Sequence, residues 1–408
     1  MNSISFSALA QAVNEYIEMA SRHGRMSTPP FEYDFNQLAL DVFRFQAEHN
    51  SVIRSLCRHR NLSVDRLLTW QGIPAISTAS FKEFDVSVLS AEERSSVFHS
   101  SGTTAQTPSR NFHSEESLAI YKNSLLPVFL RHLMPELEFE GKDGERLSNE
   151  WRIPMLSLTP SCDVASHSSL VFMLHSVAME YCAKDSIFAG QETSVGWELD
   201  IDRVLFELRK SMCANRPIMI AGTAYNFIQL LDHFEHKNIR YRLAEGSRVM
   251  ETGGYKGRTR TVPKEELYGQ ISQKLGIPEA RIVSEYGMCE LSSQAYNYAI
   301  EHVLHSNEKG EELLSKQELK QRPPAQARPF SRRFLFPPWV RIRVVSPETE
   351  KEVSDGEEGI LEIVDLGNVA SSIAIRTQDR VWRWGQEFEL IGRVEHSEPR
   401  GCSLLSVS

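Results

Sequence analysis

His99-Ser100-Ser101-Gly102-Thr103-Thr104-Ala105-Gln106-Thr107-Pro108-Ser109 is a hydroxyl-rich stretch with a single glycine. Glycine takes φ > 0 without steric cost, so the backbone can turn tightly at Gly102. The apolar pair Val97-Phe98 ahead of it reads as the end of a strand. Ser114-Glu115-Glu116 behind it reads as a helix start, a capping hydroxyl followed by acids where the helix dipole favours them. Such a turn gathers backbone N–H groups and hydroxyls around an anion, which suits a phosphate. The glycine spacing and lysine of the P-loop are absent. Taken alone, the stretch reads equally well as a surface Ser/Thr turn.

Upstream, residues 1 to about 75 read as helical. Phe6, Leu9, Val13, Tyr16, Ile17 and Ala20 recur at helical spacing, with Gly24 as a stop. Phe35, Leu38, Val42 and Phe45 predict a second helix beyond Pro29-Pro30. Downstream, short apolar runs alternate with helical patterns. Pro154–Leu158, Pro217–Ala221, Arg248–Glu251 and Arg281–Ser284 read as strands. Ser168–Ala183, a stretch with Phe227, Leu230, Leu231 and Phe234, and one opened by Pro263 and closed by Gly276 read as helices. This alternation predicts an α/β fold with layered, mostly parallel sheets, whose ligands bind at strand C-termini. Residues 305–333 are polar and proline-bearing and read as a linker or surface excursion. Val340–Val345, Gly359–Val364, Ser371–Ile375 and Glu387–Ile391 then predict a small β-rich subdomain. The expected divisions are 1–92 (helical), 93–304 (the α/β core), 305–333, 334–394 (β-rich) and a tail at 395–408.

The 408 residues are 41% hydrophobic and 24% charged, the composition of a globular chain with a sizeable core. A formal net charge of −9 argues against general nucleic-acid binding. No apolar run approaches the ~18 residues of a membrane span. Cys57, Cys162, Cys182, Cys213, Cys289 and Cys402 are scattered without a C-x-x-C pair, which predicts free thiols in a reducing, cytoplasmic setting.

Three further places carry chemistry. Gly253-Gly254, followed by Tyr255-Lys256, lets a backbone approach a ligand closely, or simply turns the chain. Tyr286-Gly287-Met288-Cys289-Glu290 offers an aromatic to stack on a flat base and a carboxylate for a divalent cation, or a buried tyrosine and a solvated glutamate. Asp379 with Arg380, and then Gly392-Arg393, offer a strand-end carboxylate for a ribose diol and a guanidinium for a phosphate, or a surface ion pair.

In order and spacing these stretches resemble the adenylate-forming superfamily of acyl-CoA synthetases, adenylation domains and luciferases. Ser100, Ser101, Gly102, Thr103 and Thr104 match its phosphate loop. Ala105 replaces a glycine, one extra residue precedes Pro108, and Ser109 replaces a lysine. Tyr286, Gly287 and Glu290 match its aromatic motif, with Cys289 where threonine is usual. Leu156–Pro160, His167–Leu170, Ser284–Gln294 and Arg400–Leu404 extend the likeness over nearly the whole chain, which resembles the acyl-protein synthetases of bacterial bioluminescence fatty-acid reductase systems. The resemblance implies ATP-dependent conversion of a fatty acid to acyl-AMP, then transfer to a cysteine and on to a partner such as a reductase. It implies ATP contacts from the hydroxyl loop, Gly253, Gly254, Tyr286, Gly287, Asp379 and Arg393, and Mg²⁺ at Glu290. It implies Cys402 as acyl acceptor and His167 near the carboxylate. Only about fifteen residues follow Arg393, none of them lysine. The superfamily's C-terminal small domain and its lysine are therefore expected to be absent, with Lys256 the candidate substitute. Two other functions stay open: an acid–coenzyme A ligase of the phenylacetate type, and a non-catalytic subunit that binds a nucleotide or acyl partner.

Overall fold

The computed structural model describes residues 5–22, 32–100, 107–140, 152–193, 196–253, 262–297, 300 and 333–394. Gly24, Pro29-Pro30, most of the 305–333 stretch and the 395–408 tail lie outside the described residues.

Three helices open the chain, α1 (Phe6–Arg22), α2 (Glu32–His49) and α3 (Ser51–His59). Leu9, Val13, Tyr16, Ile17 and Ala20, the residues at helical spacing, are the buried face of α1. Asn50 caps α3, its side chain accepting from the backbone N–H groups of Val52 and Ile53. A short strand β1 (Ile76–Ser77) and helix α4 (Ser80–Glu83) lead to the hairpin of β2 (Ser96–His99) and β3 (Arg110–His113). The hydroxyl-rich stretch therefore links two antiparallel strands, where the sequence suggested one strand running through a loop into a helix. Helix α5 (Glu115–Leu133) starts where the capping residues place it, and Ser114 and Ser117 form a reciprocal capping box.

After α6 (Pro135–Glu140) come β4 (Met155–Ser157), α7 (Ser169–Tyr181), β5 (Ile187–Phe188), the ribbon of β6 (Gly190–Thr193) and β7 (Gly196–Leu199), and α8 (Ile201–Cys213). Then follow β8 (Met219–Thr223), α9 (Ala224–His236), β9 (Arg248–Thr252), α10 (Lys264–Leu275) and β10 (Ile282–Tyr286). Gly276 ends α10 in the left-handed region at φ 73°, where a side chain is strained. Strands β5, β4, β8, β9 and β10 lie side by side and parallel. Their residues alternate between two apolar layers. Met155, Met219, Ala221, Met250 and Val283 face the cluster that includes α1, α5 and α7. Leu156, Ile220, Val249 and Ile282 face the cluster of α8, α9 and α10. A period of two on a sheet with helices on both faces produces this division.

The last strands are β11 (Ala295–Tyr296), β12 (Phe334–Leu335), β13 (Val340–Val345), β14 (Glu358–Asp365), β15 (Ala374–Trp384) and β16 (Glu387–Arg393). They continue the same twelve-stranded sheet in the order β13-β14-β15-β16-β12-β11-β10, all antiparallel, with β1 added parallel to β15. The fold is thus mixed α/β, with the sheet parallel toward the β5 end of its order and antiparallel toward the β13 end. Among the described residues no helix is long and apolar enough to cross a membrane.

Candidate active site

Gly253 and the Tyr286–Glu290 segment lie together at the C-terminal ends of β9 and β10, because Thr252 is in register with Glu285. Gly253 has φ 72°, so the chain leaves β9 through a left-handed turn that favours glycine. Gly254 and Lys256 lie outside the described residues.

Tyr286 is buried, its ring packed among Phe334, Phe336 and Phe388. Its hydroxyl donates to Asp379 Oδ2 at 2.8 Å. Asp379 Oδ1 accepts from Arg393 Nε at 3.0 Å. Burial and the Asp379 carboxylate push the Tyr286 phenol well above its usual range, so it stays a donor. The guanidinium of Arg393 is raised in turn by the neighbouring Asp379 carboxylate. Asp379 is not at a strand end, as the sequence suggested. It stands inside the eleven-residue strand β15, and its backbone N–H is held by Thr377 Oγ1. The register with β16 shifts between Arg380 and Val381, and Asp379 lies opposite Arg393 just beyond that shift. Such an irregularity re-aims side chains, and here it flanks the Asp379–Arg393 pair.

Glu290 is buried, not solvated, and accepts a hydrogen bond from Cys289 Sγ at 3.2 Å. Asn368 Nδ2 donates to the Glu290 carbonyl at 3.1 Å. Among the described residues no group of three or more His, Cys, Asp or Glu side chains is poised around a metal. A lone carboxylate fits Mg²⁺, which keeps several waters and shares phosphate oxygens, better than a closed protein cage would.

The hairpin is tied to this centre through β3, and its neck is fixed by bonds of its own. Asn111, buried on β3, donates through Nδ2 to the Cys289 carbonyl at 2.8 Å. Ser100 closes the neck of the loop: its backbone N–H donates to the Ser109 carbonyl, and its Oγ accepts from Ser109 N at 2.8 Å. The His99 N–H donates to the His167 carbonyl at 2.8 Å, and the two imidazoles stack at 4.9 Å. Partial burial, with His167 and Arg110 nearby, lowers the His99 pKa and favours its neutral form. His167 itself is exposed beside the loop stem. Ser101, Gly102, Thr103, Thr104 and Cys402 lie outside the described residues.

The structure adds groups that the sequence left silent. Glu285 is buried one residue before Tyr286, and Thr252 Oγ1 donates to its Oε2. Glu251, on the adjacent position of β9, accepts from Lys264 Nζ at 3.3 Å, Tyr268 Oη at 3.0 Å and Ser284 Oγ at 3.2 Å. Asp365 accepts from the N–H groups of Ser292, Ser293 and Gly367 and from Ser293 Oγ, while burial pushes its carboxyl up to about 6. Glu285 adjoins the tyrosine motif, so its position was a usable signal. Nothing local marks Asn111, whose partner Cys289 is distant in sequence, or Asp365, most of whose donors are.

A family model described as acyl-protein synthetase, LuxE, matches residues 17–308. The chain is 20% identical over 398 residues to the long-chain-fatty-acid–luciferin-component ligase of Aliivibrio fischeri, covering 92% of this chain and 90% of that protein. 2-Hydroxyisobutyryl-CoA ligase in its postadenylation state with 2-HIB-AMP superposes with a TM-score of 0.59 at 12% identity, over 91% of this chain and 70% of the ligase. The open conformation of that ligase with 2-HIB-AMP and CoA gives 0.58 at 13% identity, over 90% and 77%. At these identities the likeness to the solved structures is one of fold.

Proposed function

The chain belongs to the acyl-protein synthetase LuxE family, and from that premise we propose that it is an AMP-forming ligase that activates a long-chain fatty acid with ATP and transfers the acyl group to a thiol. The observation that carries this function is the Tyr286–Asp379–Arg393 assembly, gathered from two distant parts of the chain at the C-terminal ends of the parallel strands. That is where open α/β sheets bind ligands.

A carboxylate is a poor electrophile because its charge repels nucleophiles. Joining it to AMP provides a leaving group, with pyrophosphate departing as the carboxylate oxygen attacks the α-phosphorus. Proteins promote such transfers by positioning and charge stabilisation. Tyr286 supports the adenine face, its own ring backed by Phe334, Phe336 and Phe388. Asp379 accepts from the ribose diol. The Arg393 side chain that now occupies Asp379 Oδ1 is 74% exposed, so it is free to swing from the carboxylate to a phosphate. Ser101, Thr103 and Thr104 donate to the phosphates, and Ser100 holds the neck of their loop closed. Glu290 is the residue here to hold Mg²⁺, which supplies charge neutralisation of the phosphates when bound.

Acyl transfer then needs a thiolate, and the family resemblance assigns Cys402. Three of the described cysteines are poor alternatives. Burial pushes the Cys182 thiol up to about 12 and raises those of Cys57 and Cys162, which makes them poor nucleophiles. Cys289 is buried against Glu290, and Cys213 is exposed at the end of α8. The acyl group passes onward to an acyl-accepting protein, with a reductase as the proposed partner.

The test incubates the full chain with a long-chain fatty acid, Mg-ATP and no coenzyme A. ATP–pyrophosphate exchange and one acyl adduct by intact mass are expected. The adduct should vanish in Cys402→Ala while exchange persists, and remain in Cys213→Ala. No exchange with any acid would overturn the function. An adduct surviving Cys402→Ala would overturn the acceptor, and turnover strictly requiring coenzyme A would favour the coenzyme A ligase instead.

A further inference from the structure

We propose that Glu285 is a positioning residue for nucleotide binding: its carboxyl, wedged between the Thr252 hydroxyl and the Cα of Gly287, sets where the Tyr286–Gly287 turn lies. This role deepens the adenylating function proposed above and rests on it.

The geometry is local and closed. Thr252 and Glu285 are partners across β9 and β10, and the Thr252 hydroxyl donates to Glu285 Oε2. A Cβ built on Gly287 would overlap Glu285 Oε1, and would lie 3.4 Å from both Glu285 Cδ and Gln294 Cγ. Gly287 is not among the glycines with positive φ. Its backbone would accept a side chain, so it is the neighbouring carboxyl that demands glycine there. Oε1 is the end of a flexible chain, but burial and the Thr252 bond leave it little room to retreat. Tyr286, whose hydroxyl reaches Asp379, sits between the wedge and the turn. Displacing the carboxyl therefore displaces the tyrosine that meets the base.

The wedge fits in its neutral form. Burial pushes the Glu285 carboxyl up to about 7. Within that balance the Thr252 bond and Lys264 of α10 lower it, and Glu251 of β9 adds to the raising effect of burial. Tyr121 of α5 and Tyr296 of β11 also face it, and both stay neutral because burial raises their phenols. Gln294, which lines the same Gly287 site, donates to Tyr121 Oη, and its Oε1 has no partner among the described residues. That is an acceptor a neutral carboxyl can use. An ionised Glu285 gains by reaching water, and the Gly287 beside its Oε1 is exposed. It would also set a buried negative charge beside an incoming polyphosphate.

The experiment measures Mg-ATP binding calorimetrically with the full chain at pH 6 and pH 8. If only the neutral form is competent, wild-type affinity falls about tenfold over this interval, following the neutral fraction of a group that titrates near 7. Glu285→Gln keeps the neutral shape and should lose that slope, while the titration of ATP itself is common to both proteins. Gly287→Ala should weaken binding, and adding Glu285→Ser should restore it. Should Gly287→Ala melt before it can be tested, the same rescue is read in its melting temperature. An undiminished slope in Glu285→Gln, or no rescue of Gly287→Ala by Glu285→Ser, overturns the role of Glu285. A wild-type chain that neither binds ATP nor exchanges pyrophosphate at either pH overturns the adenylating function instead, so the two failures are distinguishable.

Discussion

The hydroxyl of Tyr286 donates to Asp379 Oδ2 at 2.8 Å although 93 positions separate them in the chain. The bond joins the end of a parallel strand to the interior of an antiparallel one. The side chain expected to meet the base and the one expected to hold the ribose therefore form one rigid unit before any nucleotide arrives. Removing the hydroxyl in Tyr286→Phe leaves Asp379 buried with Arg393 as its remaining side-chain donor. About 1–3 kcal/mol of stability should be lost, as for a buried acceptor deprived of a partner. In pyrophosphate exchange KM for ATP should rise more than kcat falls. An unchanged KM would separate the pair from nucleotide binding.

Asn111 should couple the hydroxyl loop to the tyrosine motif. Its Nδ2 bond to the Cys289 carbonyl is the buried side-chain link between β3 and that segment. Asn111→Ala should leave the melting temperature within a few degrees yet cut exchange by up to about a hundredfold, the scale of a small misplacement in a phosphoryl-transfer site. Exchange at the wild-type rate would reduce Asn111 to a packing residue.

Thr103→Val should abolish exchange while leaving the far-ultraviolet circular dichroism unchanged. The substitution keeps the shape and removes the hydroxyl proposed to meet the phosphates, where one aimed donor is worth roughly 3–4 kcal/mol. Normal exchange would return the loop to an ordinary surface turn.

Stability should fall on both sides of an optimum in mildly acidic solution. Burial lowers His113 and His132 to about 4, so each contributes stability that is present above the unfolded value of 6.5 and lost as pH falls through 4. Glu285 and Asp365 have the opposite sign. Raised to about 7 and about 6, they contribute stability present below their unfolded values of 4.5 and 3.8, lost as pH rises through the folded ones. Denaturant unfolding from pH 4 to 8 should show both limbs. The alkaline limb should shrink in Glu285→Gln by an amount on the order of 3 kcal/mol. An identical limb in that variant would show that Glu285 does not titrate there.

Gly190→Ala should destabilise the sheet by about 3 kcal/mol, the upper range for overpacking. A Cβ there would run into the Thr159 and Pro160 backbone just beyond β4, which cannot move aside like a side chain. Thermal unfolding checks this, and a loss below 1 kcal/mol would mean that the β6–β7 ribbon shifts freely.

What the sequence determined by itself was local. The apolar spacing of α1, the capping serine of α5, Gly276 at the end of α10 and the short runs of β4, β8, β9 and β10 are set by residues within a turn or two of one another. Helix capping, backbone freedom at glycine and the period of two in strands act over that range. The order of the motifs from Ser100 to Arg393 was legible in the same way, and so was the family they indicate. Tertiary structure alone decided what those motifs touch. Ser100 lies on a hairpin because β3 folds back on β2. Asp379 lies within a strand because β15 extends to pair with both β14 and β16. Glu290 is buried rather than solvated, and Glu285 is held near neutrality by burial and a charge across the sheet. Desolvation and long-range pairing depend on which distant residues arrive at the same place, and no local pattern around Asn111 or Asp365 encodes that arrival.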